Sequence, residues 1–137
     1  MTDLPQIVPM LSYEDVGAPA DWLVRAFGFE ESDRIDEGGE AVHVQLRLGE
    51  GFVMLGKPGE TYVSPARLRK ECETAARMYD VPWVIDGVYV QVNDVDAHHE
   101  RANAAGARVL SPPEDKHGER SYRVEDHEGH RWMFAQS

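Results

Sequence analysis

Apolar and polar residues alternate along two separate stretches of the chain, and each alternation leads into a helix-like pattern that ends at glycine. These stretches are residues 11–28 (LSYEDVGAPADWLVRAFG) and residues 90–106 (VQVNDVDAHHERANAAG). In each helix-like part, apolar residues recur at three- and four-residue spacing. Each stretch is followed by more strand-like sequence, a glycine turn and a final apolar strand, at 50–56 and at 128–135. The pattern predicts two βαβββ modules.

The clearest strand of the first module is EAVHVQLRL, residues 40–48. Its valines and leucines fall on one side of a strand and its polar residues on the other, so we predict that the apolar side packs against the helix of the module. That helix is predicted to begin near Asp15, whose carboxylate can cap free amides. It is predicted to end at Gly28, which suits a left-handed C-cap.

The organisation along the chain follows from these elements. We predict a single domain over residues 1–137, in which the first module covers 5–56 and the second covers 87–137. Residues 57–86 fit neither module and are predicted to be a linker that contains a short helix. Ser64 is its expected N-cap, Pro65 its first residue and Cys72 an interior residue. In the second module, a helix is predicted over roughly 94–105, with His98 and His99 on its surface, and the sequence after SPPED is predicted to be a loop.

Composition narrows the possible functions. The chain has 137 residues, a formal charge of −11 and a pI near 4.9, so it offers no basic stripe for nucleic acid or for an anionic membrane. No stretch reaches the roughly 18 apolar residues of a membrane span. Cys72 is the lone cysteine, and the N-terminal sequence lacks the basic and apolar regions of a signal peptide. We therefore expect a reduced, cytoplasmic protein that binds neither nucleic acid nor membranes.

Two segments of the second module carry a family resemblance. The stretch DVDAHHERANAAGARVLSPPED and the closing YRVEDHEGHRWMFA, together with the doubled βαβββ plan, resemble the vicinal-oxygen-chelate superfamily of glyoxalases, bleomycin-resistance proteins and extradiol dioxygenases. The resemblance implies an α+β fold in which each module forms part of a cupped, mixed and mostly antiparallel sheet. It also implies a small-molecule site within the cups, and a homodimer that exchanges modules.

The metal-binding members of this superfamily place a His near the start of each module's first strand and a Glu in each module's last strand. Those positions correspond here to Val8 and Gly87 for His, and to Met54 and Met133 for Glu. The distance along the chain from Val8 to Gly87 equals the distance from Met54 to Met133, so the two copies align at one constant offset. Val and Gly offer no donor atom, and the Met thioether is a soft ligand. We therefore predict no metal and no other cofactor.

The resemblance also implies which strand face meets the ligand, namely the face opposite the helix. Trp132 and Phe134 fall on the other face and are predicted to be core. The linker aromatics, Tyr79 among them, either pack the linker onto the modules or cover the ligand. The predicted ligand-binding residues on the strands and in the linker are Met10, Ser12, His43, Gln45, Arg47, Phe52, Met54, Tyr62, Trp83, Tyr89, Gln91 and Met133.

An apolar, aromatic and Met-rich lining with a few polar groups is typical of a pocket for an organic molecule. The leading hypothesis is metal-independent binding of a small apolar or aromatic molecule, of the sequestration or resistance type, with planar antibiotics among the candidates. An alternative is a glyoxalase-like lyase, isomerase or dioxygenase that uses a non-standard metal site, for example through His43, or no metal at all. A third is a protein-interaction module whose cups are filled by their own side chains. The sequence contains no GxSxG motif and no catalytic residue that we can assign.

Overall fold

The computed structural model describes residues 4–82 and 86–137, and its contacts divide the chain into two units, Met1–Ser64 and Pro65–Ser137. The first unit contains β1 (Met10–Ser12), α1 (Gly17–Phe27), β2 (Glu30–Glu37), β3 (Glu40–Leu48) and β4 (Gly51–Gly56). The second contains α2 (Pro65–Glu71), α3 (Glu73–Met78), β5 (Val88–Gln91), α4 (Val95–Ala104), β6 (Arg108–Lys116), β7 (Glu119–Glu125) and β8 (Arg131–Gln136). Within the described part of the chain, every helix is too short or too polar to cross a membrane.

Both units build the same mixed sheet. The strand order is β1-β4-β3-β2 in the first and β5-β8-β7-β6 in the second, with one parallel pair in each and antiparallel pairs elsewhere. Met10 lies opposite Met54, and Tyr89 lies opposite Met133, so the equivalent pairs are related by the constant offset that the sequence predicts. The α+β fold of two βαβββ modules is thereby confirmed.

The helix α1 packs on one face of the first sheet, where Val44, Leu46 and Leu55 are fully buried. Its start lies within two residues of the predicted Asp15. The helix begins at Gly17, and Val16 occupies the N-cap with no side-chain capping bond. The Val16 side chain is fully buried, so packing contributes to this entry into the helix.

Helix α4 has a side-chain hydrogen bond at its N-cap, whereas the N-cap residue of α1 makes none. Asp94 is its N-cap and accepts a 3.0 Å hydrogen bond from the backbone amide of Ala97. The helix ends before Gly106, whose φ of 87° matches the φ of 86° at Gly28 after α1. Both glycines therefore supply the left-handed turn that the sequence predicts.

Aromatic rings form the core beneath α4. Trp132 and Phe134 are buried and stack with centroids 6.3 Å apart, which confirms them as core residues. The predicted surface position of His98 is wrong, because its ring lies 3.9 Å from the Phe134 ring and its Nδ1 lies 2.6 Å from the Tyr122 hydroxyl. Burial raises the pKa of Tyr122. His99 is also half-buried, with its ring edge-on to Tyr122 at 5.2 Å between centroids, so both adjacent histidines help to anchor α4 to the sheet.

The edge strands depart from the sequence expectation. β2 is a strand although its sequence, EESDRIDE, is almost entirely charged. β6 continues through Pro112 and Pro113 to Lys116, and the loop predicted after SPPED is the tight turn at His117 and Gly118. The two prolines lie at a register shift between Ser111 and Glu114 on an edge strand, where a missing backbone donor costs little.

The predicted linker helix is two helices. α2 starts at Pro65 as expected, but Cys72 has extended backbone angles and separates α2 from α3. The backbone amide of Ala66 donates a 3.0 Å hydrogen bond to the carbonyl of Glu128. The start of α2 therefore rests on the turn between β7 and β8.

Candidate functional site

Each sheet has two unlike faces, because one face packs against α1 or α4. We call the opposite face of each sheet its open face. In the first module, β1, β4 and β3 align Met10, Met54 and Gln45 in one row across this face. Ser12, Gly56 and His43 form the next row, and Phe52 lies opposite Arg47. All seven residues predicted in the first module for ligand binding thus share the open face.

These seven residues are not equally available to a ligand. Met10 is 78% exposed, whereas Gln45 is buried and donates its side-chain amide to the Ser32 hydroxyl at 3.1 Å. Arg47 pairs with Glu30 at 3.2 Å. His43 is half-buried, and its imidazole makes neither a hydrogen bond nor an ion pair with any residue that the structure describes. Met10, Met54 and His43 are therefore accessible groups on this face whose side chains are not held in an ion pair, unlike the exposed Arg47.

The predicted linker residues have different outcomes. The Tyr62 hydroxyl donates a 3.0 Å hydrogen bond to the backbone carbonyl of Ser12, so it ties its segment to β1. The ring of Tyr79 lies beneath the guanidinium groups of Arg69 and Arg131, at 5.4 and 5.1 Å. Tyr62 thus packs onto the first module and Tyr79 onto the second, and these contacts favour packing of the linker aromatics over covering of a ligand. Trp83 lies outside the described residues.

The open face of the second module carries Tyr89, Gln91 and Met133. Two cavities lie along it, of about 150 Å³ and about 300 Å³, and both are bounded by Pro82, Arg123 and Met133. Tyr89 also bounds the smaller cavity. Its hydroxyl donates a 2.5 Å hydrogen bond to Glu119, which raises the pKa of Tyr89. These two cavities are the candidate ligand space on the open face of the second module.

Arg123 also faces the cavities, although it is not among the residues predicted from the sequence. It lies between Met133 of β8 and Ser111 of β6 on the open face. The signal was available in SYRVE, where Tyr122 and Val124 are core residues, so the residue between them must point to the other face.

One end of the same open face is closed by an ion cluster. Glu125 is 2% exposed and accepts hydrogen bonds from Arg69 at 2.6 and 3.0 Å and from Arg131 at 3.1 Å. Arg108 approaches the same carboxylate at 3.3 Å. Arg131 also donates to the backbone carbonyls of Tyr79 and Val81. The α2–α3 segment is thereby fastened across this end of the sheet.

The charges in this cluster oppose the effect of burial. Burial alone would raise the pKa of Glu125. The hydrogen bond from Arg69 and the positive charges of Arg69, Arg108 and Arg131 outweigh it, so the pKa of Glu125 lies below its ordinary value. The carboxylate is accordingly an ionised structural group, and its lone pairs are already engaged.

The superfamily's metal does not fit the residues at its four positions. Val8 and Gly87 provide no side-chain donor, and Met54 and Met133 provide only thioethers. Their strand neighbours are Met10 and Tyr89, whose hydroxyl is bonded to Glu119. Across residues 4–82 and 86–137, no three His, Cys, Asp or Glu side chains cluster in a way that could hold an ion.

Comparisons with known proteins agree with this architecture. Uncharacterized protein Mb0911c of Mycobacterium bovis is 31% identical over 134 residues, which cover 96% of this chain and 83% of that protein. The crystal structure of TioX from Micromonospora sp. ML1 is 37% identical, covers 96% of this chain and 98% of its own, and has a TM-score of 0.73. The fosfomycin resistance protein FosX from Listeria monocytogenes, at 13% identity, 99% and 95% coverage and a TM-score of 0.66, shares the fold alone.

The sequence profile of one family matches nearly the whole chain. It is that of the Glyoxalase/Bleomycin resistance protein/Dioxygenase superfamily, and the match extends over residues 5–134. The profile, the doubled sheet topology and the constant offset between the modules lead to the same assignment. The chain belongs to the Glyoxalase/Bleomycin resistance protein/Dioxygenase superfamily.

Proposed function

We propose that this protein binds a small, largely apolar or aromatic organic molecule on its open faces, without a catalytic metal, as a sequestration or resistance protein does. The observation that carries the proposal is the pair of equivalent rows, Met10 with Met54 and Tyr89 with Met133. At these rows a metal-using relative would present a carboxylate. Here both rows present apolar or aromatic surface instead.

Exposure and volume support the proposal. Met10, Ile35 and Tyr89 are 78%, 51% and 49% exposed, and all three lie on open faces. Met10 and Ile35 lie on the two edge strands of the first sheet and Tyr89 lies on an edge strand of the second, so each open face exposes apolar surface. The cavity of about 300 Å³ in the second module reaches the lower end of the range for small-molecule sites. Methionine adapts its shape to varied ligands, as a sequestering protein requires.

The similar proteins support a resistance or sequestration role, but their names do not identify a ligand for this chain. FosX of Listeria monocytogenes is a fosfomycin resistance protein, but at 13% identity it supports only the shared fold. TioX, at 37% identity, is the more informative structure for this chain. Resistance is therefore our proposal for this protein, and its ligand has to be found by experiment.

The test is a thermal-shift screen of planar antibiotics and aromatic metabolites on protein treated with EDTA, followed by calorimetry on each hit. A ligand that prefers the native state stabilises it by about 2.7 kcal/mol at a concentration of 100 times its Kd. Met133→Ala and Tyr89→Ala should each weaken binding. Met78→Ala is the control, because Met78 is also exposed but lies on α3 and bounds neither cavity.

Two results would overturn the proposal. If freshly purified protein contains one transition metal per chain and removing it abolishes ligand binding, the protein acts through a metal and the enzyme alternative replaces ours. If the screen gives no stabilising compound with or without added metal, the open faces serve protein interaction instead.

A further inference from the structure

Arg123 bounds the two cavities of about 150 and 300 Å³ on the open face of the second module, and therefore lies where these two meet. Arg123 is half-buried, and its side chain makes no hydrogen bond or ion pair within the described residues. A guanidinium group carries five N–H donors and a permanent positive charge. Partial burial of such a group without a partner is unfavourable, and an anion at this position would relieve it.

We infer that Arg123 binds the carboxylate of an organic monoanion whose apolar body occupies the cavity of about 300 Å³. The inference rests on the proposed function and adds the chemical class of the ligand. Met133 and Pro82 supply apolar wall beside Arg123, and Ser111 and Ser121 add hydroxyl groups on the same side. The site therefore pairs one charge with an apolar surface.

The other arginines of the second sheet show why Arg123 differs. Arg131 is saturated by Glu125 and two backbone carbonyls, and Arg120 pairs with Asp96 and Asp115. Glu114 bounds the same cavity as Arg123 and makes no ion pair with it. Carboxylates are thus available on this sheet, yet the structure leaves Arg123 open to the cavity.

The surrounding charge selects a monoanion over a phosphate dianion. Glu114 and Glu119 both face the cavity, against Lys116 and Arg123. The chain as a whole carries a formal charge of −11. The two carboxylates offset the two positive charges, so the cavity has no surplus positive charge to balance a dianion in this acidic chain. A carboxylate can still take two parallel hydrogen bonds from the Arg123 guanidinium group.

The probes are naphthoate, its uncharged methyl ester and naphthyl phosphate, titrated by calorimetry or by NMR against the full chain. We expect naphthoate to bind about tenfold more tightly than the ester, because a charge-assisted, bidentate hydrogen bond strengthens binding by about that factor. It should also bind more tightly than naphthyl phosphate, because the acidic surroundings disfavour a second negative charge. In Arg123→Gln the preference for naphthoate over the ester should fall to within about twofold. Glu114→Gln should tighten naphthoate binding, since it removes a competing charge.

Arg77→Gln is the matched control, because it removes one positive charge from α3 at a residue that bounds neither cavity. It should keep the full preference for naphthoate. The unfolding midpoint of Arg123→Gln should not fall below that of the wild type, because the substitution breaks no polar contact among the described residues and removes a partly buried charge. Arg123→Lys keeps the charge and should retain part of the preference.

Equal affinity of acid and ester in the wild type would overturn the inference, as would a preference that survives in Arg123→Gln. If the ligand screen returns only uncharged compounds that bind on the open faces, the inference fails and the proposed function stands. If neither the naphthyl probes nor the screen gives any binding, both fail together.

Discussion

Arg69 of α2 and Glu125 of β7 form a two-point ion pair across 56 residues of sequence, with nitrogen to oxygen distances of 2.6 and 3.0 Å. Arg131 adds a third bond to the same carboxylate at 3.1 Å. Because the Glu125 side chain is 2% exposed, water cannot replace these partners. The pair joins the α2–α3 segment to the sheet that carries the candidate ligand cavities.

Glu125→Gln should lower the free energy of unfolding by about 3 kcal/mol, because removing one partner of a buried ion cluster leaves the other charges uncompensated. Urea denaturation at pH 7 measures the change. Glu30→Gln is the control, since the Glu30–Arg47 pair is solvent-exposed and such pairs contribute about 0 to 1 kcal/mol. Equal losses in the two variants would contradict a special role for Glu125.

The contribution of Glu125 to the free energy of unfolding should depend on pH. The folded state holds the pKa of Glu125 below its ordinary value of 4.5, so the stabilisation is present above that pH. It should be lost as the pH falls through the lower, folded-state pKa. The stability gap between wild type and Glu125→Gln should therefore be constant between pH 7 and pH 5 and narrow towards pH 3. If the stability difference between the two proteins widened in acid, the pKa of Glu125 would be raised by folding and not lowered.

Gly129→Ala should destabilise the second unit by about 3 kcal/mol, the sum of backbone strain and overpacking. A Cβ atom at this position would lie 2.6 Å from the backbone nitrogen of Ala66 and 3.0 Å from Pro65, and Gly129 has a φ of +94°. Strain at positive φ costs about 1 to 2 kcal/mol and overpacking about the same again. Gly51→Ala is the control, because its nearest neighbour lies at an ordinary 3.5 Å. Urea denaturation of both variants decides whether the α2 contact is as close as described.

His117→Gly should stabilise the protein by about 1 kcal/mol, the cost of a left-handed backbone at a residue with a Cβ. His117 and Gly118 have φ angles of 54° and 80°, which match the 59° and 83° of Gly38 and Gly39 at the equivalent hairpin. Two positive φ angles are typical of a type I′ turn. The reciprocal variant Gly38→His should lose a similar amount. Thermal and urea unfolding of both variants test this, and a loss of stability in His117→Gly would contradict it.

Short-range patterns were sufficient to predict the modules and their faces. The alternation in residues 40–48 assigned Val44 and Leu46 to the core and His43 to the open face, and the register confirms both sides. Gly28 and Gly106 marked two helix ends because a left-handed turn demands little more than the absence of a Cβ. Such features depend on residues close in sequence, so they can be predicted without knowledge of the fold.

Short-range patterns did not predict the bounds of the edge strands or the burial of polar groups. β2 and β6 are strands because a neighbouring strand supplies their hydrogen bonds, and neither charge nor proline in the sequence announces it. His98 is half-buried because α4 crosses the aromatic core at that position. The intrinsic preference of these segments is weak, and tertiary contacts override it.

By itself, then, the sequence determined the doubled βαβββ plan, the constant offset between its two copies and the absence of hard donor atoms at the four metal positions, since each is a property of local pattern or of residue chemistry. Only the tertiary structure decided that Glu125 gathers Arg69, Arg108 and Arg131 and that Arg123 stays open to a cavity. An ion pair depends on which distant side chains the packed strands and helices bring within about 4 Å, and no spacing along a single chain specifies that distance.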